Sequence, residues 1–142
     1  MKFDHIGVTT ATLEEGRTLL AASIGVRSWT AAFQDTVNDV HVQFGHDESG
    51  ICYELVAPLS PNSPITRVLS KKVNVLNHVA YLVDDLATEG ARLLAAGFVE
   101  VAPARPAIAY DNKLIQFFVS RSRLMIELIE APDHQHRYGS AA

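Results

Sequence analysis

Four ionisable side chains stand inside otherwise apolar stretches of this chain: His5, Glu54, His78 and Glu127. His5 precedes Glu54 by 54 − 5 = 49 residues, and His78 precedes Glu127 by 127 − 78 = 49. Taken singly, each has a bland explanation. A histidine in a strand is usually surface or satisfied core, and a strand glutamate usually faces solvent. The matched spacing sets these four apart. Carboxylates in half-buried strands are costly unless paired or bound to metal, and two of them on one apolar surface repel each other. A divalent cation removes that repulsion and accepts two neutral imidazoles as well. Two His and two Glu suit a borderline ion such as Zn, Ni, Co, Mn or Fe. On an octahedral ion such a set leaves two positions for water or substrate oxygens, as metal catalysis requires.

The equal spacing belongs to a longer repeat. Glu15 to Ala22 (EGRTLLAA) recurs as Glu89 to Ala96 (EGARLLAA), at an offset of 89 − 15 = 74. Val42-Gln43-Phe44 recurs as Ile115-Gln116-Phe117 and Tyr53-Glu54-Leu55-Val56 as Ile126-Glu127-Leu128-Ile129, each at an offset of 73 (115 − 42, 126 − 53). His5-Ile6 recurs as His78-Val79, again at 78 − 5 = 73. Four blocks in one order at nearly one spacing indicate a duplicated module, with the one-residue drift expected in a turn near the first helix.

Both halves show the same elements. Phe3 to Thr9 and Val75 to Val83 are short apolar strands. Thr12 caps a helix with Glu14 and Glu15 in its first turn, and Leu13, Leu19 and Leu20 form its apolar stripe up to Gly25. Asp84 or Asp85, then Leu86, Leu93, Leu94 and Gly97, repeat that pattern. Strands are expected over 26–33, 37–45 and 51–57, and over 98–103, 107–109 joined to 113–119, and 123–130. Each half is thus β-α-β-β-β, so the fold class is α+β. Strand alternation puts Tyr53, Leu55, Ile126 and Leu128 toward the helices, and Cys52, Glu54, Met125 and Glu127 on the opposite face with His5 and His78.

The expected organisation is a single domain over 1–142. It comprises a first module with its connector at 1–70, a second module at 71–132 and a polar tail at 133–142. Pro58 to Pro64 forms the connector, followed by a short helix from Ile65 to Lys71. With 48% hydrophobic and 20% charged residues the composition is that of a globular chain rather than a disordered one. A net charge of −4 without a basic cluster argues against nucleic acid as partner. No apolar run reaches the ~20 residues that span a bilayer, so no membrane association is expected. Met1 to His5 lacks the apolar core of a signal peptide. The single cysteine, Cys52, fits a reducing, cytoplasmic compartment.

At the residues already singled out the chain resembles the vicinal oxygen chelate superfamily, which includes the glyoxalases. It is most similar to methylmalonyl-CoA epimerase-like members. The resemblance rests on Asp4-His5-Ile6-Gly7, the connector Pro58-Leu59-Ser60-Pro61-Asn62-Ser63-Pro64-Ile65, Asn77-His78-Val79-Ala80-Tyr81 and Met125-Ile126-Glu127-Leu128. It covers Phe3 to about Pro132. It implies paired βαβββ modules forming a cup-shaped mixed sheet, with one divalent metal held by His5, Glu54, His78 and Glu127. Members commonly form homodimers. Epimerases often carry Gln where this chain has Glu54, and Glu there looks more like bacterial glyoxalase I. Two positions depart from the epimerase pattern. Val42 stands where bacterial epimerases carry a proposed catalytic Glu, and Pro103 to Tyr110 replaces a Gly-rich segment.

The function implied is metal-dependent proton transfer beside a thioester or similar carbonyl of a small-molecule substrate. Glu127 is the expected base and Glu54 its pseudo-symmetric partner. One alternative is a lactoylglutathione lyase of the glyoxalase I type. Another is a non-enzymatic small-molecule or antibiotic-binding protein, which the intact four-residue set disfavours. An extradiol dioxygenase is less expected still, since Glu54 would be surplus there. His41 is a third candidate base, but alternation aims it away. Arg67, Arg105, Arg121 and Arg123 are surface charges that could meet an anionic substrate tail. His134 and His136 form an H-x-H in the polar tail, where surface disorder is the default. Cys52 reads first as a small buried hydrophobe, and Trp29 and Tyr110 either line the cup or pack.

Overall fold

The computed structural model describes residues 1–72 and 75–139. Positions 73 and 74, at the start of the expected second module, and 140–142 of the expected tail lie outside the described residues. The chain forms two compact units. One comprises His5–Asn77 with the segment from Gln135, and the other Met1–Asp4 with His78–His134. We call them the first and the second unit.

In the first unit, β1 (Lys2–Thr9) runs parallel to β5 (Cys52–Pro58) through the pairs Ile6–Tyr53 to Thr9–Val56. β4 (Val40–His46) lies antiparallel on the other side of β5, and both β2 (Ser28–Trp29) and β3 (Phe33–Asp35) pair with β4. The expected strand over 26–33 is therefore two short pieces. α1 (Leu13–Ile24) is capped by Thr12, whose hydroxyl accepts from the Glu15 amide (3.1 Å), and is ended by Gly25 at φ 76°. The connector leads into α2 (Pro64–Ser70), which has Pro at its first position, where a missing N–H costs nothing.

The second unit repeats this plan. β6 (Leu76–Leu82) runs parallel to β10 (Met125–Ile129), from Val79–Ile126 to Leu82–Ile129. β9 (Lys113–Val119) is antiparallel to β10, and β7 (Val99–Glu100) and β8 (Arg105–Ala107) pair with β9. Ile6–Tyr53 and Val79–Ile126 differ by 79 − 6 = 73 and 126 − 53 = 73, so the strand register carries the repeat. α3 (Leu86–Ala95) is capped by Asp85, whose carboxylate accepts from the Ala87 and Thr88 amides. A hydrogen bond from the Thr88 hydroxyl, followed by the backbone bonds, holds that carboxyl below its ordinary value.

The drift of one residue is not absorbed in a turn. The caps Thr12 and Asp85, the buried Leu13 and Leu86, and the buried Leu20 and Leu93 all stand 73 apart (85 − 12, 86 − 13, 93 − 20). The glycines alone keep the offset of 90 − 16 = 74. The tidy match of EGRTLLAA with EGARLLAA therefore pairs exposed Leu19 with buried Leu93, and buried Leu20 with exposed Leu94. Leu19 and Leu94 leave the expected stripes. The cores gather on the helix side of each sheet: Val8, Leu13, Leu20, Val26, Leu55 and Ala57 in the first unit, and Val83, Leu86, Leu93, Phe118, Ile126 and Leu128 in the second. Among the described residues no helix is long and apolar enough to cross a membrane.

Candidate metal-binding residues

Each unit buries one His–Glu pair on the sheet face away from its helix. In the first unit Glu54 lies beside Gly7 of β1 and Phe44 of β4. Its neighbour Leu55 points the other way into the core. His5 has the parity of Gly7, and its Nε2 lies 3.4 Å from Glu54 Oε1. In the second unit Glu127 lies beside Ala80 of β6 and Phe117 of β9, and His78 Nε2 lies 3.1 Å from Glu127 Oε1. Exposures are 0% for His5, 7% for Glu54, 6% for His78 and 2% for Glu127. These values exclude the reading of the glutamates as solvated strand residues. Burying a carboxylate this deeply demands a partner for its charge. Buried imidazoles and carboxylates are side chains of the kinds that hold metal ions.

The repeat also carries a third member that the sequence left unassigned. The His5 and Phe44 rings meet in a T-shaped contact, with centroids 5.4 Å apart at 73°. His78 meets Phe117 in the same way, at 5.0 Å and 90°. Phe44 and Phe117 belong to the recurring Gln-Phe dipeptide (117 − 44 = 73), so the signal was present. The glutamine before each phenylalanine serves the opposite face. Gln43 accepts from Arg17 (2.7 Å) and donates to the Thr30 carbonyl (2.7 Å). Gln116 donates to the Ala102 carbonyl (3.0 Å). The Gln-Phe dipeptide thus fixes the backbone with one residue and fixes a histidine ring with the next.

The other candidates separate clearly. His41 shares the parity of Gln43, on the helix side of β4 and away from Glu54. Arg67, Arg105, Arg121 and Arg123 are exposed. Val42 is buried, with no carboxylate in its place. Trp29 packs on the helix-side core. Tyr110 is buried in the second unit, where its hydroxyl donates to Asp4 Oδ2 (2.6 Å) and its ring lies 4.5 Å from that of His134. His136 is the correction. The polarity of the tail suggested surface disorder, yet its ring stacks on Phe44 at 4.2 Å and 26°. Cys52 is buried and accepts a hydrogen bond from the Tyr138 hydroxyl (3.3 Å).

Residues 4–117 match the sequence profile of the glyoxalase/bleomycin resistance protein/dioxygenase superfamily. The chain belongs to that superfamily. Over 138 residues it is 28% identical to the uncharacterized protein YqjC of Bacillus subtilis, covering 95% of this chain and 96% of that protein. Among solved structures, the methylmalonyl-CoA epimerase of Mycobacterium tuberculosis superposes with a TM-score of 0.74 at 23% identity, covering 90% of this chain and 86% of the epimerase. A variant of the Streptomyces coelicolor methylmalonyl-CoA epimerase, in complex with 2-nitronate-propionyl-CoA, gives 0.75 at 17% identity, covering 96% and 99%. At these identities the likeness establishes the α+β fold of this superfamily.

Proposed function

We propose that His5, Glu54, His78 and Glu127 hold one divalent metal ion, and that the protein is an isomerase moving a proton beside a thioester or similar carbonyl. The observation that carries this reading is the duplicated, buried His–Glu pair. The donor set fits the ion. Two imidazole Nε2 atoms and two carboxylate Oε1 atoms, all shielded from water, match what Zn, Ni, Co, Mn or Fe accepts. A bound ion would supply Lewis acidity toward a substrate oxygen and stabilise the charge that develops there as the neighbouring C–H is lost. Glu127 is assigned to take that proton at its carboxylate, and Glu54 to return one to the opposite face of the carbon, so that each would hold the ion only while ionised and not while it carries the proton. Epimerisation then balances, since one proton leaves the carbon and one arrives. The phenylalanines hold the two imidazoles in place and keep water from the carboxylates.

The epimerase-like fold makes a CoA thioester the first substrate to test. A lactoylglutathione lyase of the glyoxalase I type is the second reading, favoured by a carboxylate, rather than an amide, at position 54. Metal analysis of the purified protein is the first experiment. About one equivalent of a divalent ion is expected, lost in Glu127→Ala and in Glu54→Ala alike. Retention of the ion in both variants would sink the proposal. Methylmalonyl-CoA in deuterated water, followed by NMR at the α-proton, then separates the reactions. Exchange supports the isomerase, whereas turnover of a hemithioacetal without exchange supports the lyase.

A further inference from the structure

The segment from Gln135 to Gly139 is built into the first unit as a strap. Its exposure alternates as in a strand, with Gln135, Arg137 and Gly139 exposed and His136 and Tyr138 half-buried. Tyr138 forms an antiparallel bridge with Thr30, and the Gly139 amide donates to the Trp29 carbonyl (3.0 Å). The Tyr138 ring meets His46 edge-on at 4.5 Å and its hydroxyl donates to Cys52 Sγ. His46, Cys52, Phe44 and Glu54 share one face of the β4–β5 ladder. Tyr138 is thus a latch that lays His136 onto Phe44. A ring nitrogen of His136 comes within 4.8 Å of one of His5. Covering Phe44 needs only an apolar side chain. An imidazole adds a polar nitrogen beside His5, a candidate metal-binding residue.

We infer that the strap is a wall of the substrate-binding face, and that His136 is a substrate-contacting residue that donates a hydrogen bond to a carbonyl or carboxylate oxygen of the substrate. This rests on the reading of the protein as a metal-dependent enzyme of small carbonyl compounds. It assigns a polar contact to a face on which Val42 offers none.

The test compares the full chain with His136→Phe, which keeps the stack and removes the N–H, and with His136→Gln, which restores a donor. Methylmalonyl-CoA is the probe, its affinity measured by calorimetry. The visible spectrum of the Co²⁺-loaded protein and the melting temperature report separately on the metal-binding residues and the fold. A hydrogen bond to a charged or strongly polarised oxygen implies that affinity falls about 10- to 100-fold in His136→Phe. His136→Gln should recover part of that loss, with the cobalt spectrum and melting temperature unchanged in both. Unchanged affinity in His136→Phe would overturn the inference while leaving the metal-site reading intact. An altered cobalt spectrum would overturn it in favour of a role at the metal. Wild-type protein that binds neither Co²⁺ nor the thioester would overturn both readings together.

Discussion

The two units fill the space beneath a helix with aromatic bulk drawn from different places. In the second unit Phe118 of β9 is 1% exposed and fills the core itself. A Cβ on Gly90 of α3 would lie 3.0 Å from its ring. In the first unit the equivalent of Phe118 is Gly45 (118 − 73 = 45), and the bulk comes from the neighbouring strand. Trp29 of β2 lies over Gly45, where a Cβ would meet the indole at 2.6 Å. With no side chain at position 45 of β4, α1 settles on Leu55, and a Cβ on Gly16 would stand 2.7 Å from that side chain. The two helix glycines therefore relieve contacts with different strands, which accounts for their offset of 74 while the helix caps, the buried leucines and the β1–β5 register keep 73. The duplicated modules diverged on the helix side and kept their His–Glu–Phe trio on the other. The helix side needs only filled volume, for which several packings serve. The opposite side, on the proposed metal-site reading, needs particular atoms at particular distances.

Three measurements test this contrast. The largest effect is expected for Phe118→Ala, which empties the second core and should cost about 3–5 kcal/mol in denaturant unfolding. Trp29→Ala should cost less, because that indole is only half-buried. Equal losses would mean that Trp29 and Phe118 are not alternative fillers of one kind of space. Next comes Gly45→Ala. It should destabilise by about 1–3 kcal/mol through overpacking against Trp29. The penalty should shrink in the Gly45→Ala/Trp29→Leu double variant, and strict additivity there would refute the close contact. The smallest effect concerns the caps. Asp85 titrates and Thr12 does not. Asp85 has its folded pKa lowered from 3.8, so its stabilisation is complete above that value and is lost as pH falls through the folded one. Asp85→Ser should flatten the acid limb of a stability–pH profile, whereas Thr12→Ser should leave its slope unchanged.

Much of the candidate site was legible in the linear sequence. The 49-residue spacing, the recurring Gln-Phe and the alternation of the strands placed His5, Glu54, His78 and Glu127 on the faces opposite the helices. Local periodicity and duplication write such features directly into the chain. The helix alignment was less legible, because a run of identical letters outweighed the burial pattern. At the offset of 73 only Leu20–Leu93 and Ala22–Ala95 stay identical in this run, and only the side of the helix that meets the sheet decides which leucine is core.

The sequence alone determined the α+β class, the internal repeat and the types of residue offered to a metal. Only tertiary structure decided that the helix glycines relieve different strands, that Phe44 and Phe117 pack on the histidine rings, and that His136 and Tyr138 belong to the first unit. The reason is physical. Tyr138 and Cys52 are 86 residues apart, and a contact closed over that distance leaves no period or motif in either segment. Its partners are chosen by the surfaces the rest of the fold presents, and those surfaces exist only once the sheets have formed.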